Sequence, residues 1–123
     1  MRKILGMTPI AAAALIALAV RGDRSFQASA DRSYADLMKE AMERMHEGMT
    51  ARQTGNPDRD FVIQMIPHHQ GAIDMAEALL IYGKDPELRQ LAKGIIVEQQ
   101  NEIQIMRLWQ ERQATPRPKG DER

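Results

Sequence analysis

Cysteine is absent from the 123 residues, which excludes disulfide staples, thiolate nucleophiles and thiolate metal ligands. A basic cluster is absent as well. Lys and Arg (17) balance Asp and Glu (17), and the chain lacks the electrostatic footprint of a nucleic-acid partner. There is no Ser-His-Asp arrangement, no glycine-rich phosphate loop and no Cys/His spacing for zinc. No segment alternates apolar and polar residues as a half-buried strand would, and no internal repeat is visible. Leucine, normally the leading apolar residue, is outnumbered: residues 31–123 hold seven methionines against six leucines and one phenylalanine. Methionine is flexible and specifies a core poorly, so its enrichment points to a role other than packing.

What is present begins with a leader. Arg2 and Lys3 precede the 17-residue apolar run Ile4–Val20, and Ala17-Leu18-Ala19 and Ala28-Ser29-Ala30 have the small-x-small form of a cleavage site. The pattern is that of a secretory signal peptide; the competing expectation is an uncleaved N-terminal anchor, since 17 residues lie at the lower edge of a spanning helix. Residues 1–30 are therefore assigned to the leader, 31–113 to a helical domain and 114–123 to a flexible tail. Export would place the domain in the periplasm or another extracytoplasmic compartment. Removing the leader after Ala19 or Ala30 shifts the formal charge from 0 to −2 or −3.

Three helices are expected. Asp31 or Ser33 can cap the first, which runs to about Arg52 with Tyr34, Leu37, Met38, Ala41, Met42, Met45 and Met49 on one stripe. Thr54-Gly55 breaks it, and Asn56-Pro57-Asp58 opens the second with a capping residue and a first-turn proline. That helix should stop at Gly83, with a kink or restart at Pro67, whose ring clashes with the carbonyl four residues back. Asp85-Pro86-Glu87 starts the third, which reaches roughly Gln113 with Leu88, Leu91, Ala92, Ile95, Ile103, Met106 and Trp109 on its apolar stripe. Gln99 and Glu102 are polar residues within that stripe and call for a partner, whereas Asp74, Glu77 and Glu98 read as solvated.

The chemistry concentrates in two stretches. Met38, Met42, Met45 and Met49 are spaced 4, 3 and 4, an arc of about 60° on a helix, with His46 beside the row. In the second helix Met65, His68, His69, Ala72 and Met75 share an arc of about 120°. A methionine stripe alone is more often core than metal site. This one is unusually pure, however, and all three histidines lie next to methionines. Thioether sulfur is soft and uncharged and favours Cu(I), with imidazole completing such a site. Adjacent helical side chains diverge by about 100°, so His68 is directed towards Met75 and His69 towards Met65 and Ala76. A hydrogen bond from one of them to Gln99 or Glu102 would fix the tautomer of a ligating ring. Glu43-x-x-His46 is a single Glu-x-x-His motif, and a di-iron carboxylate site needs two.

Together these residues resemble the family of the domain of unknown function numbered 305, the CopM-like copper-binding proteins. The resemblance runs from Tyr34 to Trp109, through Met42-x-x-Met45-His46-x-x-Met49, Thr54-Gly55-Asn56-Pro57-Asp58, Met65-Ile66-Pro67-His68-His69-Gln70 and Gln99-x-x-Glu102-Ile103-x-x-Met106. It implies an exported all-α, ferritin-like antiparallel helical bundle that binds copper. The ligands it implies are Met42, Met45, His46, Met49, Met65, His68, His69 and Met75, with Gln99, Glu102 and Met106 in support. Three helices rather than four are evident, so closure of the bundle is expected from a homodimer or from a retained leader. The expected function is sequestration or hand-over of Cu(I), with the copper ion as partner and no nucleic acid. Two alternatives stand beside it: a non-metal interaction module with a methionine-rich groove, and a ferritin-like metal oxidase.

Overall fold

The computed structural model describes residues 25–114; residues 1–24 of the expected leader and 115–123 of the expected tail lie outside them. The described chain is all-α, as expected: α1 (Tyr34–Met49), α2 (Pro57–Tyr82) and α3 (Pro86–Ala114).

Each helix starts where a side chain captures otherwise orphaned N–H groups. Ser33 Oγ accepts from Asp36 N–H at 3.1 Å, and Asn56 Oδ1 accepts from Arg59 N–H at 3.1 Å beside the first-turn Pro57. Asp85 Oδ1 accepts from Glu87 and Leu88 N–H at 3.0 and 2.9 Å. The first helix ends at Met49, short of Arg52, because Thr50 turns back on it: its N–H and hydroxyl both donate to the Glu47 carbonyl, at 3.2 and 2.7 Å. Gly55 then takes a left-handed conformation (φ 84°) that side chains with a Cβ rarely adopt. The Asp60 carboxylate braces this turn by accepting from Thr54 N–H, Thr54 hydroxyl and Gly55 N–H at 2.6, 2.7 and 3.1 Å.

The second helix does stop at Gly83, but the chain leaves in extended backbone (φ −69°, ψ 138°) rather than through a left-handed cap. It also runs without a break through Pro67, so of the expected kink or restart the restart does not occur. The proline ring is seated against Gly48 of α1, where a Cβ would overlap it. One turn on, a Cβ at Gly71 would lie 2.7 Å from Met45 Cβ and 2.9 Å from its sulfur. These two glycines let the backbones of α1 and α2 close on each other, and interhelical packing holds the proline turn in place.

α2 is the centre of the molecule. α1 and α3 each pack along it, and among the described residues they make no approach to one another. α2 turns Pro67, Gly71 and Asp74 to α1 and Val62, His69 and Ile73 to α3, directions about 150° apart at 100° per residue. The result is a layer three helices wide, open on both sides. Its core is thin: Leu37 and Ala41 in α1, four small or branched residues of α2 (Val62, Ile73, Ala76, Ala78), and Ala92, Ile103 and Met106 in α3. Tyr34 stacks edge-on against Tyr82, ring centroids 6.0 Å apart, and ties the start of α1 to the end of α2.

Candidate functional site

The two open sides of the layer differ in chemistry. Arg44 and Asp74 lie together between α1 and α2 and mark one side. On α1 the methionine row lies on the opposite flank of the residues that face α2 (Leu37, Ala41 and Gly48), about 90° round from their mean direction. On α2 the same side carries Phe61, Met65, His68, Ala72, Met75 and Leu79. A cavity of about 240 Å³ lined by Phe61, Val62, Ile105, Met106 and Trp109 places Ile105 of α3 on this side too; Leu91, Glu98 and Glu102 follow it at helical spacing. One face of the layer therefore gathers Met38, Met42, Met45 and Met49 from α1 with Met65, His68 and Met75 from α2.

The sequence treated α1 as having one stripe, but the structure divides it. Leu37 and Ala41 are fully buried against α2, while Met42 is 54% exposed and Met49 37% exposed. Met38 and Met45 are half-buried between these extremes. Met45 is also a packing residue, since it covers Gly71. Met65 and Met75 are half-buried and His46 and His68 are exposed, His46 at the outer edge of α1. Met106 is buried in a cluster with Val62, Ile73 and Ile103, against which Met65 packs, and so stands apart from the row on α1. Gln99 is half-buried on the side of α3 that meets α2.

His69 behaves differently from its neighbour. It is 7% exposed, and its Nε2 lies 2.5 Å from Glu102 Oε2, the interhelical bond that Glu102 called for. With Nε2–H donating to the carboxylate, a neutral ring presents the lone pair of Nδ1, and this atom is buried without a hydrogen-bond partner. A carboxylate behind one ring nitrogen with the other left available is the arrangement that orients metal-ligating histidines. The rings of His68 and His69 sit 5.9 Å apart at 62°, diverging as adjacent helical residues must. Among the described residues no three His, Cys, Asp or Glu side chains converge. Soft thioethers are thus the donors available to extend a histidine site on this face.

The other side of the layer corrects the sequence reading of the carboxylates. Asp74, taken as solvated, is 1% exposed. Gln70 Nε2 donates to its Oδ1 at 2.9 Å, while Arg44 Nε is 3.6 Å from Oδ2, close enough for an ion pair but too long for a hydrogen bond. Both of those atoms lack a hydrogen-bond partner. Burial pushes the Asp74 carboxyl above its ordinary range against the opposing effects of Gln70 and Arg44. Burial, and then the charge of Asp74, pushes Glu77 up as well. A helix with neighbours on both flanks is buried on both, and a single apolar arc on α2 could not reveal the second. The available signal was the pair of glycines, Gly48 and Gly71, marking where α1 would cross.

The profile of a family described as a domain of unknown function (DUF305) matches residues 12–110. An uncharacterized protein of Acanthamoeba polyphaga mimivirus is 47% identical over 49 residues, covering 40% of this chain and 32% of that protein. The chain spans about a third of that relative's length.

Proposed function

The chain belongs to the family of the domain of unknown function 305, and from that premise we propose that it is an exported copper-binding protein that takes up Cu(I) on the methionine face of its helical layer and holds it or passes it on. The observation that carries this reading is that the methionines of α1 open on the same side as His68 and Met75 of α2. Thioether and imidazole donors together select Cu(I) over harder ions. His69 supports the same reading through its unpartnered Nδ1, with Glu102 holding the ring from behind. Export through the run Ile4–Val20 belongs to the same proposal.

His68→Ala tests it cleanly, because His68 is exposed and its loss leaves the core intact. Helix content should be unchanged, and Cu(I) affinity in competition with a colourimetric chelator should fall about tenfold or more. An affinity equal to that of the unsubstituted chain removes His68 from the site. The interaction-module reading has one observation in its favour, the exposed Phe61, Leu91 and Ile105 around the methionines. Replacing Met42, Met45 and Met49 together by leucine keeps apolar contact and removes sulfur. The copper reading expects Cu(I) affinity to be lost in that variant, and the module reading expects it to persist.

A further inference from the structure

We infer that the methionine face is an interface between two copies of this chain, related by a two-fold axis parallel to the helices, and that it forms without metal. A single layer of three helices buries too little to be self-sufficient: four of its nine buried apolar residues are alanine, while Phe61 (59%), Leu91 (58%) and Ile105 (64%) remain exposed on one face. Two grooves run along that face, one on each side of α2, because α1 and α3 do not meet. One added helix can fill only one of them. A second copy fills both, because a two-fold interface pairs the same patch with itself. Three helices spaced 8–10 Å apart, over the roughly 24 Å length of α1, present about 600 Å² in projection. The ridged accessible surface of such a face approaches the about 800 Å² per partner of a stable interface.

Hydrogen-bonding partners select the axis, since an imidazole can donate to a carboxylate. Rotation about an axis along the helices sets α1 of one copy over α3 of the other. The rim of α1 carries His46 and Lys39, Lys39 also pairing with Glu43 at 3.7 Å, and that of α3 carries Glu98 and Glu102, Glu102 also bonded to His69. His46 and Glu102 lie at the same height, since Met45 packs on Gly71 and His69 meets Glu102. The same axis brings Phe61 of one copy towards Phe61 of the other.

The chain has no cysteine, so single cysteines report proximity without background. In the metal-free full chain, sedimentation equilibrium should give twice 13.9 kDa, and Phe61→Cys should be trapped as a covalent dimer by a short bis-maleimide. Val97→Cys, on an exposed residue at the far edge of α3, should not be trapped. Leu91→Glu should give a monomer of unchanged helix content. A monomeric unsubstituted chain, which is also the outcome if residues 4–20 cover the face, overturns the inference. So does trapping at Val97 that equals trapping at Phe61. Neither result bears on Cu(I) affinity, which is measured separately.

Discussion

Asp60 shows how a single side chain can govern a turn. Its carboxylate closes the link between α1 and α2 by accepting from both Thr54 groups and from Gly55 N–H. The bond from Thr54 N–H, ahead of the others, holds its pKa below the ordinary value. A carboxyl depressed in the folded state stabilises it above its unfolded pKa, and that contribution is lost as the pH falls through about 3.9 and below. Asp60→Asn should therefore lower the thermal midpoint at pH 7, with the difference from the unsubstituted chain shrinking towards pH 3. A gap that stays constant over that range would show that the charge is irrelevant. This role was not legible in the sequence, because two of its three partners are backbone N–H groups, which leave no mark there. Glu102 was legible, since an acid inside an apolar stripe demands a partner, and His69 supplies it. Asp74 was not, because a helix pattern shows that a position is polar but not that a second helix will cover it.

Among the helices, the starts were legible and the crossings were not. Ser33, Asn56-Pro57 and Asp85 announce their helices through local chemistry. The path through Pro67 depends instead on Gly48, nineteen positions away in the chain and in contact only once α1 is packed. Gly48→Ala should cost about 1–3 kcal/mol from overpacking against a stiff ring, although alanine is favoured over glycine in an isolated helix by roughly 1 kcal/mol. Gly94 is the matched control, because a Cβ there meets nothing within 4 Å. Gly94→Ala should stabilise α3 by up to about 1 kcal/mol. Chemical denaturation of both variants checks the pair; equal shifts of the same sign would mean that the α1–α2 approach is not tight at Gly48.

The molecule as a whole is an open layer with α2 at its centre and two unlike faces, one charged and one rich in methionine. The all-α architecture followed from helical periodicity and the absence of strand alternation. The openness did not, because it depends on which helices touch, and amphipathic stripes are compatible with closed and open arrangements alike. The abundance of methionine was legible in the sequence, and the structure divides it by separating buried Met106 from the row on α1. The proposed function rests on this row and the histidines of α2 forming one soft-metal face. X-ray absorption of the Cu(I)-loaded full chain tests it most directly, because without cysteine any sulfur bound to copper must be methionine. A first shell containing both sulfur and imidazole nitrogen is expected; a shell of nitrogen and oxygen alone, or a chain that retains no Cu(I), would contradict the proposed function.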